Sequence, residues 1–228
     1  HDDGRLGERL LRALAFTPTA AQLRVSAEIR HDLASGAPML RPVQGDVGCG
    51  KTLVAALASL AVIGNGWQVA IMAPTELLAE QHYRTFSGWL DPLGLRTVLL
   101  NGRMPAAERR ATLQALALGE TALAIGTHAL FQERVGFARL GLVIIDEQHR
   151  FGVHQRLALR EKGLADGFAP HQLVMTATPI PRTLAMTAYA DLDYSLIDEL
   201  PPGRTPVATA VVSNARREGA DLQAMIDA

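Results

Sequence analysis

The chain has 228 residues and a single cysteine, Cys49. One cysteine excludes an internal disulfide framework and a zinc site built on cysteines. Lysine is almost as scarce: Lys51 and Lys162 stand against twenty arginines. A lysine inside a motif is therefore harder to obtain by chance. Charge of either sign is not in excess, since 22 Lys and Arg against 23 Asp and Glu leave a net charge of −1. No global basic field points to nucleic acid, so any such contact has to be local. No apolar run approaches the ~20 residues of a membrane span, and no signal peptide is visible. The simple expectation is a soluble cytoplasmic protein with no membrane partner. The chain starts at His1 and stops at Ala228 inside a helix-like stretch, which reads as a piece of something longer.

What is present is a rhythm of strand, turn and helix. Leu6, Leu10, Leu11 and Leu14 recur at helical spacing, and Thr19 opens a second helix to about residue 34. The pattern then predicts strands over 39–44, 68–73, 96–100, 122–125, 142–145 and 172–175. Helices are predicted over Lys51–Ile63, 77–90 and 105–118. Gly64-Asn65-Gly66 stops the first of these; Pro105 opens the last and Gly119 follows it. Runs such as "LVII" at 142–145 do not alternate. They read as strands buried on both faces, as in a parallel sheet covered by helices. "LPPGRTP", 200–206, breaks the rhythm and reads as a linker. The expected division is one domain over 1–200, a linker over 201–206, and in 207–228 a stretch too short to be a domain.

Three stretches carry chemistry. Gly45-Asp46-Val47-Gly48-Cys49-Gly50-Lys51-Thr52 fits G-x-x-x-x-G-K-[ST], after a strand and before a helix. Glycines let the backbone wrap phosphates, and the following helix adds its positive end. Lys51 would reach the β- and γ-phosphates of ATP, and Thr52 would ligate Mg²⁺. Cys49 lies beside a positive charge, where a thiol can be a nucleophile. It falls, however, on a free position of the loop, and the expectation is an exposed, oxidation-prone bystander. In "LVIIDEQH", 142–149, a buried strand runs into Asp146 and Glu147. Two carboxylates then stand at the carboxyl end of a strand, where ligands of such sheets bind. Asp146 can join the Mg²⁺ shell, and Glu147 can orient and deprotonate a water. "MTATPIPRT", 175–183, puts Thr176 and Thr178 at the same edge.

Other signals are weaker. Phe16 can stack on adenine and Gln22 can read it through two hydrogen bonds. Thr19-x-x-Gln22 is equally a capping box, which needs no ligand, and spacing does not choose between them. "APTELLAEQ" (73–81), "NGR" (101–103) and "GTHAL" (126–130) are strand ends whose small residues, hydroxyls and helix starts could bind a phosphodiester backbone without many lysines.

Taken in order, the glutamine motif, GDVGCGKT, APTELLAEQ, GTHAL, DEQH and TAT resemble the first motor domain of a superfamily 2 helicase. "DEQHRFGVHQR" narrows the resemblance to the RecG type and its neighbour, the transcription-repair coupling factor. "VMTATPIPRTLAMTAYADLDYSLIDELPPGR", 174–204, is more similar to the RecG type. The resemblance implies a P-loop α/β fold, a RecA-like three-layer αβα sandwich with a mainly parallel sheet. In it the Met175 strand lies between the phosphate-loop strand and the Asp146 strand. It implies an ATP- and Mg²⁺-dependent DNA translocase that remodels branched or forked DNA. Its partners would be a second motor domain and a wedge domain of the parent chain, with 207–228 starting that second domain. Phe16 and Gln22 become adenine contacts. Pro74, Thr75, Gly102, Arg103, Thr127 and His128 become DNA-facing. Gln148 and His149 couple the γ-phosphate to Thr176 and Thr178. Two departures stand out: Cys49 replaces a serine, and Pro42 lies where an apolar strand residue is usual. A nucleotide-binding module without turnover is the rival from another class.

Overall fold

The computed structural model describes residues 4–131, 135–147, 169–178 and 194–199. The expected linker at 200–206, the stretch after it, Gln148 and His149 lie outside the described residues. Seven strands form one sheet: β1 (Leu40–Gly45), β2 (Gln68–Met72), β3 (Thr97–Leu100), β4 (Leu123–Gly126), β5 (Leu140–Asp146), β6 (His171–Thr176) and β7 (Ser195–Ile197). Their order is β3-β4-β2-β5-β6-β1-β7, and each pairing is parallel. The Met175 strand, β6, does lie between β1 and β5. Among the described residues five α-helices accompany the sheet: α1 (Arg5–Ala13), α2 (Ala20–Leu33), α3 (Lys51–Ile63), α4 (Glu76–Leu90) and α5 (Ala106–Ala117).

The unalternating runs follow from this layering. Along β5, Leu142 and Ile144 join one core with Leu53, Leu60 and Phe86, while Val143 and Ile145 join another with Leu116 and Leu130. β2 divides in the same way, Val69 and Ile71 to one face, Ala70 and Met72 to the other. Successive side chains of a strand point oppositely, so a strand covered on both faces has no polar side to show. Each large side chain so buried contributes about 1.5–3 kcal/mol. No helix among the described residues is long and apolar enough to cross a membrane.

Pro42 is accommodated by the sheet order. The Gln172 N–H donates to the Met39 carbonyl at 2.7 Å, so the odd-numbered residues of β1 bond to β6. Pro42 turns its missing donor the other way, where β7 begins to pair only at Val43. β7 itself is not legible as a strand in the sequence. Side chains fasten it: Arg41 Nη1 donates to Ser195 Oγ at 2.8 Å, Ser195 Oγ donates to Glu28 at 2.6 Å, and Arg24 donates to the Leu196 carbonyl at 2.9 Å.

Candidate functional site

Because the strands are parallel, their carboxyl ends share one edge, and the strand order sorts that edge. The ends of β3, β4 and β2 lie together and carry 101–103, 126–128 and 73–75. The ends of β5, β6 and β1 lie together and carry Asp146–Glu147, Thr176–Thr178 and the phosphate loop.

In the loop, Asp46, Val47 and Gly48 are exposed, and Gly45 ends β1. The Cys49 N–H donates to the Asp46 carbonyl at 3.1 Å, closing a turn. Gly50 caps α3 with φ 89°, a backbone region that disfavours any side chain. A Cβ there would also run into the Gln22 amide nitrogen. Lys51 and Thr52 start α3 half-buried, and Lys51 Nζ donates to the carbonyls of Gly45 (2.6 Å) and Asp46 (3.1 Å). Cys49 corrects the expectation of exposure: it is 1% exposed and belongs to the core. Its thiol turns inward against Gly45, which has room for it only because it lacks a Cβ.

Gln22 is 2% exposed and serves two neighbours. Its Oε1 accepts from the Thr19 N–H at 2.9 Å while Thr19 Oγ1 accepts from the Gln22 N–H at 3.2 Å, a complete capping box. Its Nε2 donates to the Cys49 carbonyl at 2.8 Å. The one side chain thus caps α2 and anchors the phosphate loop. Phe16, by contrast, is 51% exposed.

The acidic pair is shaped by β6. Asp146 ends β5 in register with Met175. Glu147 has φ 54°, the only positive φ at a non-glycine among the described residues, a strain of about 1–3 kcal/mol. Two bonds hold it there. Its N–H donates to the Met175 carbonyl at 2.9 Å, and its Oε1 accepts from the Ala177 N–H at 3.0 Å. The Thr178 N–H donates to the buried Thr176 hydroxyl at 3.1 Å. Sequence reasoning missed His82 on α4, whose Nε2 lies 2.7 Å from Asp146 Oδ2.

On the other half, half-buried Pro74 leads into Thr75, which caps α4 and accepts from the Leu78 N–H at 3.3 Å. Glu76 was also missed. Its Oε1 accepts from the Gly102 N–H at 3.2 Å and its Oε2 lies 3.3 Å from Arg103 Nε. Thr75, Gly102, Arg103 and His128 are exposed, but Thr127 is buried. The carbonyl of Thr127 accepts from the Leu130 N–H at 3.1 Å, closing the 3-10 turn His128–Phe131.

The sequence matches the DEAD/DEAH box helicase family over residues 19–187. The chain belongs to that family. It is 64% identical over 212 residues to an Escherichia coli ATP-dependent DNA helicase RecG, covering 93% of this chain and 31% of that protein. For the Haemophilus influenzae RecG the figures are 61% over 217 residues, 95% and 31%. A solved structure of RecG bound to a three-way DNA junction superposes with a TM-score of 0.83 at 44% identity, covering 94% of this chain and 28% of that one. The chain therefore spans about a third of the length of the curated relatives it matches, and it is a RecG-like helicase motor domain.

The donor set of this helicase domain suits magnesium. Among the described residues no cluster of three or more His, Cys, Asp or Glu could hold a metal ion. The Thr52 hydroxyl and the Asp146 carboxylate are hard oxygen donors on the phosphate-loop half. Mg²⁺ characteristically takes one or two protein oxygens and shares the rest of its shell with phosphates and water.

Proposed function

We propose that this domain binds and hydrolyses ATP with Mg²⁺ within a RecG-like translocase that remodels branched DNA, such as stalled forks and Holliday junctions, in repair and recombination. The observation that carries the reading is the edge itself. A phosphate loop and an acidic pair share one half, and exposed backbone-binding candidates fill the other. Lys51 binds the β- and γ-phosphates and Thr52 and Asp146 hold the metal, which when bound neutralises phosphate charge. Glu147 is the base that orients and deprotonates the attacking water. Its bond to the Ala177 N–H ties that base to the Thr176–Thr178 turn, the reading of that turn as a coupler. Gln148 and His149 extend the coupling to the γ-phosphate. Phe16 stacks on adenine. Gln22, with Oε1 and Nε2 already engaged, acts first by fixing the loop and has one amide hydrogen and one lone pair left for the base.

Thr75, Gly102, Arg103 and His128 contact the phosphodiester backbone, with Pro74 and Thr127 shaping their turns. The domain ends near residue 200, a linker follows over 201–206, and 207–228 begins a second motor domain. That domain and a wedge domain complete the machine, which acts on DNA in the bacterial cytoplasm, at the nucleoid. A transcription-repair coupling translocase is disfavoured by "DELPPGR" and by the identity to RecG proteins. A module without turnover is disfavoured by Glu147. The test is Glu147→Gln in the full-length protein. ATP should still bind, with turnover reduced by about 10²-fold or more, as expected when a positioned base is removed. Loss of nucleotide affinity together with turnover would make Glu147 structural instead.

A further inference from the structure

The contact between His82 and Asp146 is used by none of the roles above. His82 is the seventh residue of α4, and both side chains are mostly buried. An ionised carboxylate can only accept, so the ring donates its Nε2–H to Oδ2 across 2.7 Å. The ring's own position is set by packing: it meets Phe86 edge-on at 6.3 Å, and Phe86 is fully buried and packs in turn on Trp89. Asp146 therefore presents its carboxylate in an orientation dictated by α4, not by solvent.

The amino end of the same helix belongs to the other half of the edge. Thr75 caps it, and Glu76 in its first turn holds both the Gly102 N–H and the Arg103 guanidinium. Glu76 and His82 are six residues apart, about 9 Å along the axis at 1.5 Å per residue. One rigid helix thus grips the backbone-facing loop with one turn and the metal-facing carboxylate with another. The two halves of the edge adjoin where β2 pairs with β5, and α4 adds a second, side-chain tie between them.

We propose that His82 is a positioning residue: through α4 it links seating of a phosphodiester backbone at Thr75, Gly102 and Arg103 to the orientation of the Asp146 carboxylate. The proposal rests on the reading of this edge as an ATP and DNA site. A histidine that merely satisfies a buried acid would support folding and nothing more, and the two differ in what they do to metal affinity and to DNA stimulation.

The test uses the full-length protein and three variants, His82→Ala, His82→Gln and His82→Asn. Glutamine places an amide nitrogen near the Nε2 position; asparagine does not reach it. Two quantities are read. One is Mn²⁺ affinity beside a non-hydrolysable ATP analogue, by electron paramagnetic resonance. The other is ATP turnover with and without a three-way DNA junction. His82→Ala should weaken Mn²⁺ binding and lower junction-stimulated kcat, each by about tenfold, the scale for losing a partner of a metal ligand, while the KM for ATP moves less than about twofold. Glutamine should restore most of both and asparagine little of either. If alanine proves unable to fold, the glutamine–asparagine contrast carries the test. Wild-type Mn²⁺ affinity and junction stimulation in His82→Ala, or equal behaviour of glutamine and asparagine, overturns the proposal. A wild-type protein that no junction stimulates overturns the reading of the edge and, with it, this inference.

Discussion

Gly50→Ala tests how the phosphate loop is held. Two costs arise at once. Alanine at φ 89° is strained by about 1–2 kcal/mol. Its methyl also meets the Gln22 amide nitrogen and drives it off the Cys49 carbonyl. Leaving that carbonyl without its partner in a buried place costs about 1–3 kcal/mol. The sum is roughly 3 kcal/mol, a loss of about 6–12 °C in melting temperature for a domain of this size. Gln22→Ala loses the same bond and half the capping box, about 2–3 kcal/mol. In the double variant the methyl no longer meets the Gln22 amide, and the bond is lost only once. The two costs should therefore fall short of their sum by about 1–3 kcal/mol. The assay is denaturant unfolding of the wild type, both single variants and the double variant, followed by circular dichroism. Additivity within about 0.5 kcal/mol would refute the idea that Gln22 and Gly50 are fitted to each other.

Three further outcomes are expected. Cys49 should resist thiol-specific labelling until the chain unfolds, and Cys49→Ser should cost about 1–3 kcal/mol for burying a hydroxyl; rapid labelling of the folded chain would contradict its burial. His171 Nδ1 accepts the Met39 N–H at 3.0 Å, and burial lowers its pKa below the usual 6.5. The folded chain then binds that proton less readily than the unfolded one, so stability is full above about pH 6.5 and falls as pH drops toward the lowered value. His171→Gln should flatten this slope in an unfolding series between pH 5 and 7.5. Arg41, buried beside Asp32 at 2.6 Å, is the clamp on β7; Arg41→Met leaves that acid unpaired and should cost about 3–5 kcal/mol by the same unfolding assay.

What the sequence discloses depends on how local the cause is. The phosphate loop and the "LVII" strand are legible because adjacent residues determine them: glycines and a lysine at fixed spacing, and an apolar run that both faces of one sheet require. β7 is not legible. Ser195-Leu196-Ile197 has no strand pattern, with Leu196 exposed, and becomes a strand through Arg41, Glu28 and Arg24, more than 150 residues earlier. The burial of Cys49 is hidden for a similar reason, since it depends on the closeness of Gly45 across the loop. His82 carries no motif of its own; only the tertiary placing of α4 on the sheet brings it to Asp146, 64 residues away. At Gln22 the capping box is legible from Thr19-x-x-Gln22, whereas the bond from its Nε2 to the Cys49 carbonyl, 27 residues away, has no signature in the sequence.

The central claim is that one edge of this sheet couples ATP to branched DNA. ATP hydrolysis by the full-length protein, with a three-way DNA junction added and omitted, tests it most directly, with Lys51→Ala as the control. The account predicts turnover that the junction stimulates and that Lys51→Ala abolishes, because the phosphates lose the one mobile charge the loop supplies. Turnover indifferent to the junction, or surviving in Lys51→Ala, would contradict it.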